Sequence, residues 1–502
     1  MYTFAQPLGR ALSTAAGSVA VVCQDRRRTY AELGSRCRRL AGAMRTLGLA
    51  HGDRVGVVAL NSDRYLELYL GLPAAGYVLV PVNSRLAPAE MRAILDDAGV
   101  GVVFADAGYP GVAGAGPVLT MPGDYEDLIA AADEVPLGDG VTENDLAALF
   151  YTSGTTGAAK GAMHTHRSLV SSGLHFMATW PFDQRTRWLV ASPMFHTGGI
   201  LATLATIWAG GTHVIMPRFD PDLAVDLIER EAVTHTLLVP TMLAAAARAQ
   251  LARPRDVSSL RYLSHGASPI SAQTLGRTRQ AFPGAELLHV YGTTETTPIT
   301  TLLPHEELIL GTPLIRSCGR PAVGVELRVV NDAMDDLPTH AVGQIAVRGP
   351  SVMAGYWRQP EATAEVMRGG WYLTGDLGYR DEESYVYLVD RAKDMIVSGG
   401  ENIYSTEVED ALGSHPAVEE TAVFGVPDPR WGERVYAVVV SRTPVTADDL
   451  VAHCRGRIAG FKMPSTIELR AEPLPKSAAG KILKRELREP HWAGQQAQVS
   501  GG

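Results

Sequence analysis

Short apolar runs alternate with stretches of helical spacing from early in this chain. Arg54 to Leu60 (RVGVVAL) and Gly76 to Val82 (GYVLVPV) read as buried strands, and Ser62 to Ala74 between them carries its apolar residues at helical intervals. The alternation recurs at Trp188 to Ala191, His213 to Met216, Thr236 to Val239 and Leu287 to Tyr291. Apolar strands separated by helices predict parallel sheets covered on both faces, an α/β architecture. After residue 320 the texture changes: Val325 to Val330, Gln344 to Arg348 and Tyr385 to Leu388 read as strands of a smaller, mostly antiparallel region. The charged run Asp390 to Asp394 (DRAKD) separates two apolar stretches and marks a domain boundary. Beyond it the pattern predicts a helix over Ile403 to Leu412, strands over Val418 to Val426 and Arg434 to Ser441, and a helix over Ala447 to Ile458. That is a compact α+β unit of about a hundred residues, a usual domain size.

Composition narrows the class. A chain of 502 residues is too long for one hydrophobic core. Hydrophobic content of 46% with 20% charged residues fits a soluble globular enzyme, and a net charge of −9 argues against a nucleic-acid partner. Cys23, Cys37, Cys318 and Cys454 lie far apart and form no CxxC. They predict neither a zinc site nor disulfides, and they fit a reducing cytosol. The start, MYTFAQPLGRALS, lacks the basic region and apolar run of a signal peptide, and no apolar stretch is long enough to span a bilayer. A cytoplasmic protein without a transmembrane segment is therefore expected. Residues 489–502 are polar and small, and are expected to be a disordered tail.

The richest chemical signal is Tyr151 to Gly161, YTSGTTGAAKG, with three glycines, the hydroxyls of Thr152, Ser153, Thr155 and Thr156, and Lys160. Such a run has little to bury, but it can wrap an oligophosphate with backbone N–H groups, hydroxyls and one cation. It follows the apolar strand LAALFY (146–151), and a loop after a parallel strand is where α/β proteins bind nucleotides. It is not a P-loop, because Gly161 follows the lysine where Ser or Thr should stand. The alternative is a flexible linker.

Further motifs each admit two readings. In YGTTETT (291–297), Glu295 is a lone acid among hydroxyls, suited either to magnesium bridging carboxylate and phosphate or to the first turn of a helix. Asp376 in YLTGD (372–376) can bind ribose hydroxyls or close an Asx-turn, and Arg391 is similarly ambiguous. SGGEN (398–402) is a turn before a helix, open to close ligand approach or a plain loop. The basic stretch PLPKSAAGKILKREL (473–487) is a solvated helix start or the carrier of a lysine for an anionic site. His196, in PMFHTGG (193–199), stands among apolar residues where histidines are most often structural.

Taken in order, YTSGTTGAAKG, PMFHTGG, SHGASP (264–269), YGTTET, YLTGD, DRAKD, SGGEN and PKSAAGK resemble the adenylate-forming superfamily of acyl-CoA synthetases, adenylation domains and firefly luciferase. The resemblance covers residues 10–488. It implies a large N-terminal region of two α/β subdomains plus a distorted β-barrel (1–390), a hinge (391–394) and a small mobile α+β lid (395–488). It implies two half-reactions: a carboxylate attacks the α-phosphate of ATP to give acyl-adenylate and pyrophosphate, then a thiol displaces AMP. Carried over, Thr152, Ser153, Gly154, Thr155, Thr156, Gly157 and Lys160 would hold the β- and γ-phosphates. Gly292 and Thr293 belong to the ATP site, Thr294 would contact the α-phosphate, and Glu295 would hold Mg2+. Gly266, Ala267, Ser268 and Tyr291 would hold adenine, and Asp376 and Arg391 ribose. Lys481 would bridge carboxylate and α-phosphate. Lys393 would be the hinge, Ser398, Gly399 and Gly400 would line the tunnel for CoA, and His196 would guard the acyl pocket. Two departures stand out: Ala159 where proline is frequent, and Lys393 where Asp is more usual.

Amino-acid-activating relatives place Asp where this chain has His196, and SGGEN resembles the CoA ligases. The pocket segments His196 to Leu201, Thr236 to Met242 and Thr296 to Ile299 contain no Arg or Lys. A second carboxylate buried there would be costly, so a fatty or aryl monocarboxylate is expected, with CoA as acceptor. The rival acceptor is an acyl carrier protein. Intact Lys160, Glu295 and Lys481 argue against an inert nucleotide sensor. Monomer and homodimer both remain open.

Overall fold

In the computed structural model, which describes residues 2–109, 112, 116–152, 159–268, 270–476 and 482–492, the alternating pattern folds as mixed α/β. The chain divides into a large and a small compact unit, Met1–Leu327 with Val347–Tyr372, and Arg328–Ala346 with Leu373–Gly502.

Two sheets organise the first unit. In a seven-stranded sheet, Arg54–Val58 lies between Val78–Pro81 and Val100–Asp106, parallel to both. All of Val78–Pro81 is buried, because helices and sheet neighbours cover both faces. The helix Asp63–Ala74 starts where the sequence predicts, since the Ser62 hydroxyl accepts the backbone N–H of Tyr65. Beside Val78–Pro81 runs β1 (Leu146–Thr152), also parallel, and β2 (Lys160–Thr165) returns antiparallel to it. The motif thus follows a strand with a parallel neighbour as expected, and Tyr151 and Thr152 pair with Gly161 and Lys160 across the two strands.

The nine-stranded sheet holds β3 (Arg187–Val190), β4 (His235–Leu237), β5 (Tyr262–Gly266) and β6 (Glu286–Tyr291) as parallel neighbours in the order β6-β5-β4-β3. After β3 comes α1 (Thr197–Ala209), which is almost wholly buried. The short β7 (Gly355–Tyr356) pairs antiparallel with β2, Tyr356 opposite Ala162.

In the second unit, the Asp376–Arg380 part of β8 (Trp371–Arg380) pairs antiparallel with β9 (Val386–Arg391). A hairpin of β10 (Ile396–Ser398) and β11 (Glu401–Ile403) leads to α2 (Ser405–Gly413), β12 (Val418–Asp428), β13 (Gly432–Ser441), α3 (Ala447–Cys454), β14 (Thr466–Arg470) and α4 (Lys484–Trp492). β13 alternates its faces: Val435, Ala437 and Val439 pack with Val408, Leu412 and Leu450 of α2 and α3, while Val438 and Val440 pack with Leu487 of α4.

Three expectations are corrected. Ile403 belongs to β11, so the helix begins at Ser405. The helix from Ala447 stops at Cys454, because Arg455 turns out of the helical region and Gly456 is left-handed at φ 78°. Residues 489–492, expected in the tail, complete α4, where the Trp492 indole donates to the Gly425 carbonyl. Residues 493–502 lie outside the described residues. All four cysteines are buried free thiols. No described helix is long and apolar enough to cross a membrane, and no group of three or more metal-ligating side chains occurs among the described residues.

Candidate active site

Because β6, β5, β4 and β3 are parallel neighbours, the segments after them emerge side by side at one sheet edge, the usual ligand crevice of an α/β sheet. These segments carry His196, residues 238–242 at the start of the helix Pro240–Ala252, Ala267 with Ser268, and the YGTTET loop. They are laced together. Buried Asn61 accepts the Met194 N–H (2.8 Å) and donates to the Ser192 (3.0 Å) and Met216 (3.2 Å) carbonyls. The Ser192 hydroxyl donates to Leu237 O (3.1 Å), and the Ser264 hydroxyl to Thr236 O (3.2 Å).

Backbone geometry explains the glycines. A Cβ at Gly266 would sit 2.1 Å from the Val290 carbonyl oxygen, and one at Gly292 would sit 2.0 Å from that of Pro298. Ala267 (φ 69°) and Thr297 (φ 58°) are left-handed without being glycine, a strain that gathers at ligand sites.

The threonine-rich loop sorts its hydroxyls. Thr296 donates to the Thr293 carbonyl, Thr297 to Ser351 O and Thr300 to Thr296. The Thr293 hydroxyl is buried without a partner among the described residues, which leaves it to meet a ligand. Thr294 opens the short 3-10 turn Thr294–Thr296. Glu295 is 8% exposed, and its Oε1 accepts the Tyr356 hydroxyl at 2.9 Å. It therefore lies in the first turn of a short helix, as one reading expected, and is also a buried acid whose Oε2 has no hydrogen-bond partner among the described residues and is open to a hard cation. That donor fits magnesium shared with phosphate oxygens.

Lys160 sits at the start of β2, opposite Thr152, with Nζ 5.1 Å from the centroid of the Tyr356 ring. The Thr152 hydroxyl donates weakly to the Lys160 carbonyl (3.5 Å). Ser153, Gly154, Thr155, Thr156 and Gly157 lie outside the described residues, as does Lys481. Tyr291 is buried at the end of β6.

His196 precedes α1 with its ring against Phe195, centroids 4.6 Å apart. Nε2 is buried without a partner among the described residues. Burial, with a smaller contribution from the Arg85 charge, pushes its pKa down to about 4, so the imidazole is neutral.

In the second unit, Asp376 and Arg391 face each other across β8 and β9 with Nε–Oδ1 at 3.2 Å. The structure joins these two ribose candidates in a cross-strand ion pair. Lys393 lies in the turn after β9, and its carbonyl accepts from Arg488 of α4 (3.2 Å). Just before it, Asp390 accepts the Ser405 N–H (2.5 Å) and hydroxyl (3.1 Å), and Lys484 reaches Ser405 Oγ (2.6 Å) and Glu409 (2.8 Å). Ser398 pairs with Glu401 around Gly399 (φ 61°) and Gly400 (φ 84°), so SGGEN is a two-residue β-hairpin turn that requires left-handed residues. The expected turn is there, with a strand between it and the helix.

Sequence reasoning missed Tyr356, Asn61 and Arg85. For Asn61 a signal existed, a polar residue directly after a buried strand; for Tyr356, 61 residues from Glu295, there was none.

Residues 9–357 match the family of AMP-binding enzymes, and residues 407–481 match the AMP-binding enzyme C-terminal domain. A feruloyl-CoA synthase from Amycolatopsis sp is 40% identical over 466 residues, covering 92% of this chain and 93% of its own. A fatty acid–[acyl-carrier-protein] ligase from Streptomyces coeruleorubidus is 36% identical, covering 96% and 95%. Among solved structures, the o-succinylbenzoate CoA synthetase MenE from Bacillus subtilis, in complex with ATP and magnesium, superimposes with a TM-score of 0.87 at 29% identity, covering 96% of this chain and 98% of its own.

Proposed function

This chain belongs to the AMP-binding enzymes and is an acid–thiol ligase, and from that premise we propose that it activates a fatty or aryl monocarboxylic acid with ATP and passes the acyl group to CoA. The observation that carries this reading is the row of segments beyond β3 to β6. They set a neutral imidazole, an unspent hydroxyl at Thr293 and the buried acid Glu295 along one crevice.

In this reading Lys160 and residues 153–157 hold the β- and γ-phosphates. Thr293 and Thr294 donate to phosphate oxygens, and Gly266, Ala267, Ser268 and Tyr291 enclose adenine. Magnesium, when bound, neutralises triphosphate oxygens, and Glu295 would hold it. Asp376 accepts the ribose hydroxyls while Arg391 keeps its carboxylate aligned. Lys481 places a cation between the two anions that must meet, so that charge developing at the α-phosphate is stabilised. The second step uses the turn at Ser398, Gly399 and Gly400 for the thiol's approach, after the small domain turns about Lys393. His196, neutral and mostly apolar in its surroundings, borders the acyl group without adding charge.

A carrier protein as acceptor is the second reading, favoured by the 36% identical carrier-protein ligase. Pyrophosphate release across a panel of carboxylic acids, with and without CoA, tests both. We expect release with fatty or aryl monocarboxylates and thioester only when CoA is present. Release without transfer to CoA, but with transfer to an acyl carrier protein, would establish the second reading. A marked preference for dicarboxylates would overturn the monocarboxylate assignment.

Glu295→Gln is expected to raise the magnesium concentration needed for half-maximal pyrophosphate release, because a neutral amide is a poor ligand for a hard cation. An unchanged magnesium titration would reduce Glu295 to a residue of the helix turn.

A further inference from the structure

Tyr356 touches both charged groups of the proposed triphosphate site. Its hydroxyl donates to Glu295 Oε1 at 2.9 Å, and its ring faces Lys160 Nζ at 5.1 Å. The side chain is itself fixed: Tyr356 is 7% exposed, β7 pairs with β2, and its backbone N–H donates to the Thr363 hydroxyl at 2.8 Å. The same segment grips the Glu295 turn elsewhere. The Met353 N–H donates to the Glu295 carbonyl (2.8 Å), and the Ser351 carbonyl accepts the Thr297 hydroxyl (3.0 Å).

The Tyr356 hydroxyl is the donor in this bond, because an ionised carboxylate can only accept. As a donor it occupies one oxygen of Glu295 and stops the carboxylate from rotating, which aims the other oxygen. The ring does something different. A lysine and a glutamate this close to a common side chain would otherwise pair and cancel, and the aromatic face gives the ammonium an alternative seat. Lys160 and Glu295 form no ion pair among the described residues, so a positive and a negative group stay available to two different ligands.

We propose that Tyr356 is a positioning residue that holds Glu295 and Lys160 apart and aligned for a magnesium-bound triphosphate. The proposal rests on the assignment of Glu295 and Lys160 to that ligand. Hydrogen-bond partners that orient a metal-binding group change metal affinity by about 10–100-fold when removed, and the Tyr356 hydroxyl is placed to have an effect near the lower end.

The test is calorimetric titration of ATP into the full-length protein, once with excess Mg2+ and once with EDTA, for wild type, Tyr356→Phe, Tyr356→Leu and Glu295→Gln. Tyr356→Phe is expected to lose about tenfold in ATP affinity with Mg2+ and nothing in EDTA, because only the hydroxyl is gone. Tyr356→Leu, which also removes the seat of Lys160, is expected to weaken ATP binding in EDTA as well. Glu295→Gln should lose the Mg2+-dependent gain. If Glu295→Gln loses that gain and Tyr356→Phe keeps it, the positioning role is overturned while the site assignment stands. An equal loss for Tyr356→Phe with and without Mg2+ also overturns it, since the hydroxyl would then act through the fold. If Glu295→Gln keeps the full gain, the assignment of Glu295 itself falls, and the proposal with it.

Discussion

Lys481→Ala is expected to cut pyrophosphate release by about 10²–10³-fold, the scale on which single groups that stabilise transition-state charge act. Conversion of synthetic acyl-adenylate and CoA to thioester should stay close to the wild-type rate. The asymmetry follows from the charges. In the first step a carboxylate approaches a polyphosphate and negative charge accumulates on the α-phosphate, so a cation between them is needed only there. In the second step the α-phosphate leaves as AMP, and the developing charge is already spread over the mixed anhydride. Single-turnover assays of the two half-reactions decide the matter. Equal losses in both would remove Lys481 from its adenylation role and leave it in the basic stretch as a solvated residue.

Lys393→Pro is expected to separate the half-reactions in the other direction. The variant should release pyrophosphate in a single turnover and fail to convert acyl-adenylate to thioester. Proline fixes φ near −65° and restricts the residue before it, so a hinge that works by changing backbone angles would be held in one state. The turn is closed by Asp394 and Met395 donating to the Arg391 carbonyl, and the Lys393 N–H makes no described backbone hydrogen bond for proline to remove. Arg488 grips the Lys393 carbonyl, which proline retains. If both half-reactions fall together in a folded variant, or neither changes, the run Asp390 to Asp394 is an ordinary charged turn and the hinge lies elsewhere.

Much of the architecture was legible because it depends on short-range pattern. Continuous apolar runs such as Val78–Pro81, and VYAVVV (435–440) of β13 whose two faces enter two cores, are needed wherever a strand is covered on both faces. The errors lie at ends. The Ala447–Cys454 helix stops early at an Arg–Gly pair, and α4 runs on into residues whose composition is that of a tail, because Trp492 finds a carbonyl at Gly425. Neither a left-handed glycine beyond a helix nor a partner 67 residues away alters the periodicity that the sequence displays.

By itself the sequence determined the inventory of chemistry and the order in which the chain carries it: a glycine- and hydroxyl-rich loop with Lys160, an acid among threonines, an Asp after a glycine turn, an Arg in a charged run, and lysines near the C-terminus. The tertiary structure decided which of these groups are already spent. It commits the hydroxyls of Thr296, Thr297 and Thr300 to their neighbours and leaves that of Thr293 without a partner among the described residues. It joins Asp376 to Arg391, keeps His196 neutral in a buried setting, and sets Tyr356 between Lys160 and Glu295. Residue type fixes what a side chain can donate, accept or ionise. Whether it does so depends on burial and on partners that lie tens to more than a hundred residues away, as with Asn61 and Met194, and only the folded chain brings those together.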